Sequence, residues 1–139
     1  MSIVTTTITI QTHGKGLHEF TREVTDWLSS TDIAEGLLTI FCRHTSASVL
    51  INENAAPAVQ RDLVRWLDQL APEGAHYEHD DEGPDDMPAH LRATLTGVSL
   101  QIPVSGGRMM LGTWQGLFLA EHRARAHTRQ VVLQIMGEK

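Results

Sequence analysis

The alternation of apolar and polar residues predicts a strand, a helix and a second strand in the first third of the chain. Ile8 and Ile10 alternate with threonines inside segment 3–12, and this period of two is typical of a strand with one buried face. Apolar residues in segment 18–30 recur at the spacing of one face of a helix. Segment 37–42 is apolar on both faces, so it predicts a central strand.

The middle third predicts another strand, a second helix and a long irregular segment. The strand covers 48–51, and the apolar residues that follow recur at helical spacing as far as Leu70. Asn54 is suited to cap this helix, and Pro57 is tolerated in its first turn. Segment 71–89 is rich in proline, glycine and acidic residues. A loop of this length in a compact domain is either functional or disordered.

The last third predicts mostly strands. Pro88 is compatible with the start of a short helix over 90–95. A pair of glycines at 106–107 is a signal for a hairpin turn. Strands are predicted over 98–104, 108–111, 117–121 and 130–136. This order of elements predicts an α+β fold with two main helices, in a single domain that covers residues 1–139.

Composition narrows the classes of function. Net charge is −6, which disfavours non-specific binding to nucleic acid or to anionic membranes. A single cysteine, Cys42, excludes an intramolecular disulfide and suggests a reducing compartment. No apolar stretch is long enough to span a bilayer, and the first residues lack the pattern of a signal peptide, so a cytoplasmic location is expected.

Charge is unevenly distributed along the chain. Acidic residues concentrate in segment 73–86, and arginines concentrate in the C-terminal part. This asymmetry predicts either charge neutralisation between subunits or an anion site near the arginines.

Three of the eight histidines lie where functional side chains are common. His44, His79 and His90 each begin or end an element beside a loop rich in proline or glycine. Three imidazoles from separate segments can form a metal site with an open position, although their spacing matches no recognised zinc signature. A neutral imidazole can equally act as a general acid or base. The contexts of four further histidines predict exposed positions: His13, His18, His122 and His127.

Two carboxylates and one segment bounded by glycines are further candidates for a functional site. Glu53 and Glu121 flank apolar strands, where a carboxylate is either paired with Arg43 or Arg123 or poised by desolvation. Segment 112–116 places a tryptophan and an amide between two glycines, which allow close approach of a ligand to the backbone. That segment is either a platform for a planar or phosphorylated ligand or a β-bulge whose tryptophan is packed into a core or an interface.

Several polar motifs together resemble the YjbQ family of small proteins, and the resemblance runs essentially from end to end. The motifs are 44–48, 52–54 with Asp62, 77–81, 84–91, and 111–116 with Glu121. The resemblance implies a compact sandwich of mostly antiparallel strands that assembles as a homotrimer. It also implies secondary thiamine-phosphate synthase activity, in which a thiazole phosphate joins a pyrimidine diphosphate and pyrophosphate leaves.

The resemblance also implies roles for individual residues. His44, His79 and His90 would be metal ligands or acid/base groups, and Glu121 would orient one imidazole or complete the metal shell. The implied substrate-binding residues are Thr45, Ser46, Asn52, Glu53, Asp62, Thr113, Trp114 and Gln115. The motifs contain few cations, whereas a diphosphate usually requires arginine, lysine or Mg²⁺. A divalent ion, Mg²⁺ or Zn²⁺, is therefore expected, with a small phosphorylated substrate.

Two other functions remain open at this point. The same residues suit a metal-dependent hydrolase of a small phosphorylated metabolite. They also suit a non-catalytic trimeric binding protein whose polar clusters fix the subunit interfaces. The chain departs from the family pattern at His122, where an aromatic residue is frequent, and at 123–129, where a turn with Gly-Pro is usual.

Overall fold

The computed structural model describes all residues, 1–139, as eight strands and three helices. None of the three helices combines the length and the apolar character that crossing a lipid bilayer requires. The elements, in chain order, are β1 (Ser2–Gln11), β2 (Gly16–Glu19), α1 (Thr21–Ser30), β3 (Glu35–Cys42), β4 (Ala47–Glu53), α2 (Pro57–Leu70), α3 (Asp86–Thr96), β5 (Ser99–Ser105), β6 (Arg108–Met109), β7 (Gln115–Glu121) and β8 (Thr128–Glu138).

The strands form two antiparallel sheets, which confirms the α+β prediction. The larger sheet has the order β1-β8-β3-β5-β6, and the smaller one has the order β2-β7-β4. Sixteen buried apolar residues from both sheets and α1 form the main core, with Leu38, Ile40, Leu117 and Leu133 among them. In β1 and β8 every second side chain faces this core, which is the period of two that the sequence predicted.

Strand β3 is central, as predicted, but only one of its faces is buried. It pairs with β8 on one side and β5 on the other. Leu38 and Ile40 point into the core, whereas Leu37 and Phe41 lie on the outer face and are exposed. The apolar character of both faces therefore does not reflect burial on both sides within this chain.

The three helices match the prediction in number but differ in where they begin. A third helix, α3, begins at Asp86 instead of residue 90. Pro88 is tolerated in its first turn, because the backbone N–H that proline lacks would have no partner within the helix at that position. Helix α1 begins at Thr21, since the preceding residues pair with β7 as β2. Asn54 does not cap α2: its side-chain amide donates to Glu19 Oε2 at 3.0 Å, and Ala56 is the cap residue.

The pairing of β4 with β7 decides which candidate residues can meet. Ala47 lies opposite Glu121 at one end of the pair, and Glu53 lies opposite Gln115 at the other. The seven residues of β4 span about 20 Å at the rise of an extended strand. The motif residues are therefore divided between two ends of the smaller sheet.

Candidate metal and substrate site

His79, Asp86 and His90 form the one cluster whose ligand atoms converge. One ligand atom from each residue lies within 4.8 Å of the other two. Asp86 Oδ2 is 2.7 Å from His79 Nε2 and 3.0 Å from His90 Nε2. Asp86 and His90 meet because they are four residues apart on α3 and therefore share one face of that helix. His79 reaches them from the preceding loop.

Contacts behind the cluster fix the orientation of two of these side chains. His90 Nδ1 lies 2.8 Å from the carbonyl oxygen of Thr45, so Nδ1–H donates there and Nε2 faces the cluster. Asp86 is buried, and its second oxygen accepts a hydrogen bond of 2.6 Å from Arg123 Nη1. Arg123 also donates to Asp85, at 3.0 Å from its Nε. Such outer contacts are those that hold the ligands of metal sites in place.

The electrostatics of the cluster favour positive charge at its centre. The hydrogen bond to Asp86 raises the pKa of His79, and the charges of Asp81 and Glu82 act in the same direction. Burial acts to raise the pKa of Asp86, but hydrogen bonding to His79 and the charges of His90 and Arg123 outweigh it, so that pKa is lowered. Protons on the imidazoles or a bound cation would both satisfy this arrangement.

His44 lies near the cluster but does not join it. Its Nε2 accepts a hydrogen bond of 2.8 Å from the backbone N–H of Gln130. Burial lowers the pKa of His44, and the charge of Arg129 adds to this effect. The structure thus brings together two of the three predicted histidines, and Asp86 stands as the third converging group.

His44 and His90 line the same cavity, whose volume is about 730 Å³. This volume lies within the range of small-molecule sites. Arg43 and Thr45 add polar groups to its wall, and Phe41 is among its apolar lining residues. The cavity therefore offers an anion-binding side next to the His79-Asp86-His90 cluster and an apolar side for the rest of a ligand.

Glu121 is enclosed by hydrogen-bond donors of the chain. It is 1% exposed, and each of its carboxylate oxygens accepts two hydrogen bonds. The donors are the Thr12 hydroxyl, the Arg123 backbone N–H and two nitrogens of Arg129. Burial acts to raise the pKa of Glu121, but these bonds, led by that from Arg129, outweigh it and lower the pKa.

The ion-pair partner predicted for Glu121 was therefore wrong. The sequence pointed to Arg43 or Arg123, but the buried partner is Arg129. Arg129 also donates to the hydroxyl of Ser46 at 3.0 Å. The pair thus holds the start of β4, immediately after His44 and Thr45, and supports the wall of the cavity.

The remaining motif residues lie at the opposite end of β4 and β7. Asn52 Oδ1 accepts from the backbone N–H of Glu53, and Glu53 Oε2 accepts from the N–H of Ala56 before α2. Gln115 Oε1 accepts from the Gly112 N–H at 2.8 Å and closes the glycine-bounded turn. The other two residues at this end, Thr113 and Trp114, are exposed.

Trp114 and Asp62 are both exposed, but they lie in different parts of the fold. Trp114 is 63% exposed, so it is not packed into the core of this chain, and the β-bulge interpretation of segment 112–116 is left with packing into an interface. Asp62 lies on the exposed side of α2, where it is 3.5 Å from Arg65. Asp62 joins neither end of the smaller sheet.

The prediction that His122 is exposed was wrong. His122 is 2% exposed, and its Nε2 lies 2.8 Å from the hydroxyl of the buried Ser48. Burial lowers its pKa to about 4. Its place directly after the apolar segment 117–121 was the signal that could have indicated burial.

Asp86 is the group that sequence reasoning missed. The composition of segment 71–89 predicts an irregular segment, so the sequence does not indicate that Asp86 and His90, four residues apart, share one helix face. Pro88, which falls inside the first turn of α3, was the feature that hid this start.

Comparisons with known proteins identify the family of this chain. The family model described as UPF0047 protein YjbQ-like matches residues 6–138. A UPF0047 protein of Synechocystis is 49% identical over 94% of this chain and 90% of its own length. The UPF0047 protein YjbQ of Salmonella typhimurium is 46% identical over 95% of this chain and 96% of its own length.

Solved structures show the same fold. A hypothetical protein from Aeropyrum pernix superimposes with a TM-score of 0.90 at 34% identity, covering 97% of this chain and 99% of the other. An uncharacterised YjbQ/UPF0047 protein from Clostridium acetobutylicum gives a TM-score of 0.88 at 33% identity, covering 94% and 99%. The family match, the identities and the shared fold lead to one conclusion: the chain belongs to the YjbQ (UPF0047) family.

Proposed function

We propose that this protein is a metal-dependent enzyme acting on a small phosphorylated metabolite, with a divalent cation held by His79, Asp86 and His90. The observation that supports this most strongly is the convergence of two imidazole nitrogens and one carboxylate oxygen within 4.8 Å. Two histidines and one carboxylate are a donor set found in catalytic zinc sites. Imidazole ligands favour Zn²⁺ over Mg²⁺, which prefers oxygen.

Other residues of the chain would bind the substrate and transfer a proton in this proposal. A zinc ion in this donor set supplies Lewis-acid activation of water or of a phosphoryl oxygen. Arg43 and Thr45, which line the cavity, would bind phosphate oxygens. His44 would hold or transfer a proton through Nδ1, because its Nε2 is engaged by the Gln130 backbone N–H. Phe41 would contact an apolar part of the substrate.

Thiamine-phosphate synthesis is the finer form of this proposal, and it follows from the family resemblance. It requires space for two small molecules and a cation for the diphosphate. The cavity of about 730 Å³ and the adjacent ligand cluster are compatible with both. Hydrolysis of a phosphorylated metabolite uses the same residues, and it is favoured by the two imidazoles, because zinc suits water activation.

We further propose that the protein acts as a homotrimer in the cytoplasm. The outer face of the larger sheet supports the assembly, because it bears an apolar row that no element of this chain covers. The register places Met136 opposite both Ile3 and Leu37, and Leu37 opposite Pro103, so these four residues run across four strands. An exposed apolar face of this kind is typical of a subunit interface.

Metal analysis of protein purified without chelators tests the proposal. We expect about one zinc ion per chain, retained in His76→Ala and lost in His79→Ala and His90→Ala. His76 is a matched control, since it is exposed in the same loop but lies outside the cluster. A wild-type protein that holds no metal even after incubation with Zn²⁺ would contradict the proposal and favour a non-catalytic binding protein.

Activity assays then separate the two reactions. Metal-loaded protein is supplied either with the thiazole phosphate and the pyrimidine diphosphate, or with a panel of phosphate monoesters. Formation of thiamine phosphate that disappears in His90→Ala supports the transferase, and metal-dependent release of phosphate supports the hydrolase. Turnover of either kind that is unchanged in His90→Ala would indicate a contaminating enzyme.

A further inference from the structure

His79 Nε2 lies beside two carboxylates, of which the proposed metal site uses only one. Asp86 Oδ2 lies 2.7 Å from this nitrogen, and Glu82 Oε2 lies 3.1 Å from it. An imidazole nitrogen carries at most one hydrogen, so it cannot donate a well-aligned hydrogen bond to both oxygens. A divalent cation, in contrast, binds several carboxylate oxygens at once. The second carboxylate therefore points to a further ligand of the proposed cation.

The backbone of Glu82 is held at the cluster by the same arginine that holds Asp86. Arg123 Nη2 donates to the carbonyl oxygen of Glu82 at 3.1 Å, and Arg123 Nη1 donates to Asp86 Oδ1 at 2.6 Å. Gly83, which follows Glu82, has a φ of +99°, a backbone conformation that other residues rarely adopt. The segment thus turns so that Glu82 and Asp86 lie beside the same imidazole.

The side chain of Glu82 is less constrained than those of the other donors. Asp86 is buried, and His90 is oriented by the carbonyl of Thr45. The side chain of Glu82 is 63% exposed, and its contact with His79 is the only ion pair that it forms within the chain. The set of ligand atoms within 4.8 Å of one another does not include its oxygens. Its carboxylate therefore has to rotate to bind the cation, and it can rotate away again.

We propose that Glu82 is a displaceable fourth ligand: its carboxylate binds the divalent cation when no substrate is present, and a phosphate oxygen of the substrate takes its place. The coordination bond to Glu82 Oε2 breaks as the bond to the phosphate oxygen forms, and no proton has to move. Sites with three protein ligands keep a fourth position for water or substrate. The proposal rests on the proposed function, because it takes the His79-Asp86-His90 cluster as the metal site.

This exchange would select the ligands of the site. Two carboxylates balance the charge of a divalent cation, so a weakly bound anion gains little by replacing one of them. A phosphate group binds the cation strongly enough to compete with a carboxylate, and Arg43 and Thr45 on the wall of the neighbouring cavity favour it further. Glu82 would thus close the site to weak anions and open it to phosphorylated substrates.

Zinc affinity tests the ligand role of Glu82. In titration calorimetry Glu82→Gln should bind Zn²⁺ about 10-fold or more weakly than the wild type, because one donor is lost. Glu82→Asp keeps the charge but shortens the side chain, so it should lose affinity as well. Glu78→Gln is the matched control: it removes the same charge from an exposed residue of the same loop that forms no ion pair with His79. It should bind zinc as the wild type does.

Three results of this titration would overturn the proposal. They are wild-type affinity in Glu82→Gln, wild-type affinity in Glu82→Asp, and a loss in Glu78→Gln equal to that in Glu82→Gln. The last two would mean that charge alone accounts for the contribution of Glu82. Circular dichroism checks that each variant is folded, which is expected because the substituted side chains are exposed.

Phosphate binding tests the displacement. The protein is loaded with Co²⁺, whose visible absorption changes with its ligands, and is titrated with inorganic phosphate. Glu82→Gln should bind phosphate about 10-fold more tightly than the wild type, the gain expected if the carboxylate leaves about one site in ten open. Glu78→Gln should match the wild type. Phosphate affinity that is unchanged in Glu82→Gln, or raised equally in Glu78→Gln, would overturn the displacement.

Failure of this inference is distinguishable from failure of the proposed function. A wild-type protein that binds neither Zn²⁺ nor Co²⁺ would overturn both. Zinc binding that is lost in His90→Ala but unaffected in Glu82→Gln would support the proposed metal site and overturn only its fourth ligand.

Discussion

His90 and Asp86 lie one helical turn apart on α3, and His90 Nε2 is 3.0 Å from Asp86 Oδ2. The opposite nitrogen of the same ring donates to the carbonyl of Thr45, at the start of the smaller sheet. A single imidazole thus connects the helix to the segment that follows β3. The position of the proposed metal ligands therefore depends on how α3 packs against β4.

Neutralising Asp86 should strongly weaken metal binding without unfolding the protein. Asp86→Asn keeps the size of the side chain but removes the charge, so we expect the affinity for Zn²⁺ to fall by about 100-fold or more. Titration calorimetry measures the affinity, and circular dichroism checks the fold. Asp80→Asn, which changes an exposed residue of the same loop, should bind zinc as the wild type does.

Removing the guanidinium that holds Asp86 should have a smaller effect of the same kind. Arg123→Gln deletes the charged hydrogen bond to Asp86 Oδ1, and loss of such an outer contact typically lowers metal affinity about 10–100-fold. The exposed Arg125→Gln serves as control. If Arg123→Gln binds zinc as tightly as the control, the hydrogen bond from Arg123 to Asp86 does not contribute to metal affinity.

The buried ion pair between Glu121 and Arg129 should matter for stability more than for metal binding. Glu121→Gln leaves Arg129 buried without its counter-charge, which typically costs about 3–5 kcal/mol. Urea denaturation measures the loss, with the exposed Glu138→Gln as control. A loss below 1 kcal/mol, on the order of that for a surface ion pair, would contradict the role given to Glu121.

His122 should make the stability of the fold depend on acid pH. Its pKa is about 4 in the folded chain, against roughly 6.5 when unfolded. Between these values the unfolded chain takes up a proton that the folded chain excludes, so stability falls as pH falls through this window. The full contribution is about 3 kcal/mol, present above pH 6.5 and lost near pH 4.

The comparison that isolates this effect uses His122→Gln. The free energy of unfolding is measured by urea denaturation at several values between pH 7 and pH 4, in the wild type and in the variant. The wild type should lose more stability than the variant across this range. Equal pH dependence in both proteins would mean that the pKa of His122 is not lowered in the folded chain.

Local patterns predicted the strands well but not the cluster. Alternation in β1 and β8 follows from burial of one sheet face, which is a property of neighbouring residues. The roles of Asp86 and Pro88 depend on where α3 begins, and the sequence there is dominated by residues typical of loops. Helix α3 packs against β4, and local patterns do not encode this contact.

Long-range register explains the other differences. The family resemblance implies one site that contains both Trp114 and His44, but the antiparallel pairing of β4 with β7 places them at opposite ends of the smaller sheet. The same pairing puts Glu121 opposite Ala47, and Glu121 forms its ion pair with Arg129, eight residues further along the chain on β8. Ser46, whose hydroxyl also accepts a hydrogen bond from Arg129, lies 83 residues before it in the sequence, so local patterns do not predict that contact.

Anomalous diffraction at the zinc absorption edge tests the central claim most directly, with crystals of protein purified without chelators and soaked in Zn²⁺. We expect a single strong peak within bonding distance of His79 Nε2, Asp86 Oδ2 and His90 Nε2. Absence of a peak at these three atoms, or a peak bound only at His44, would contradict the account.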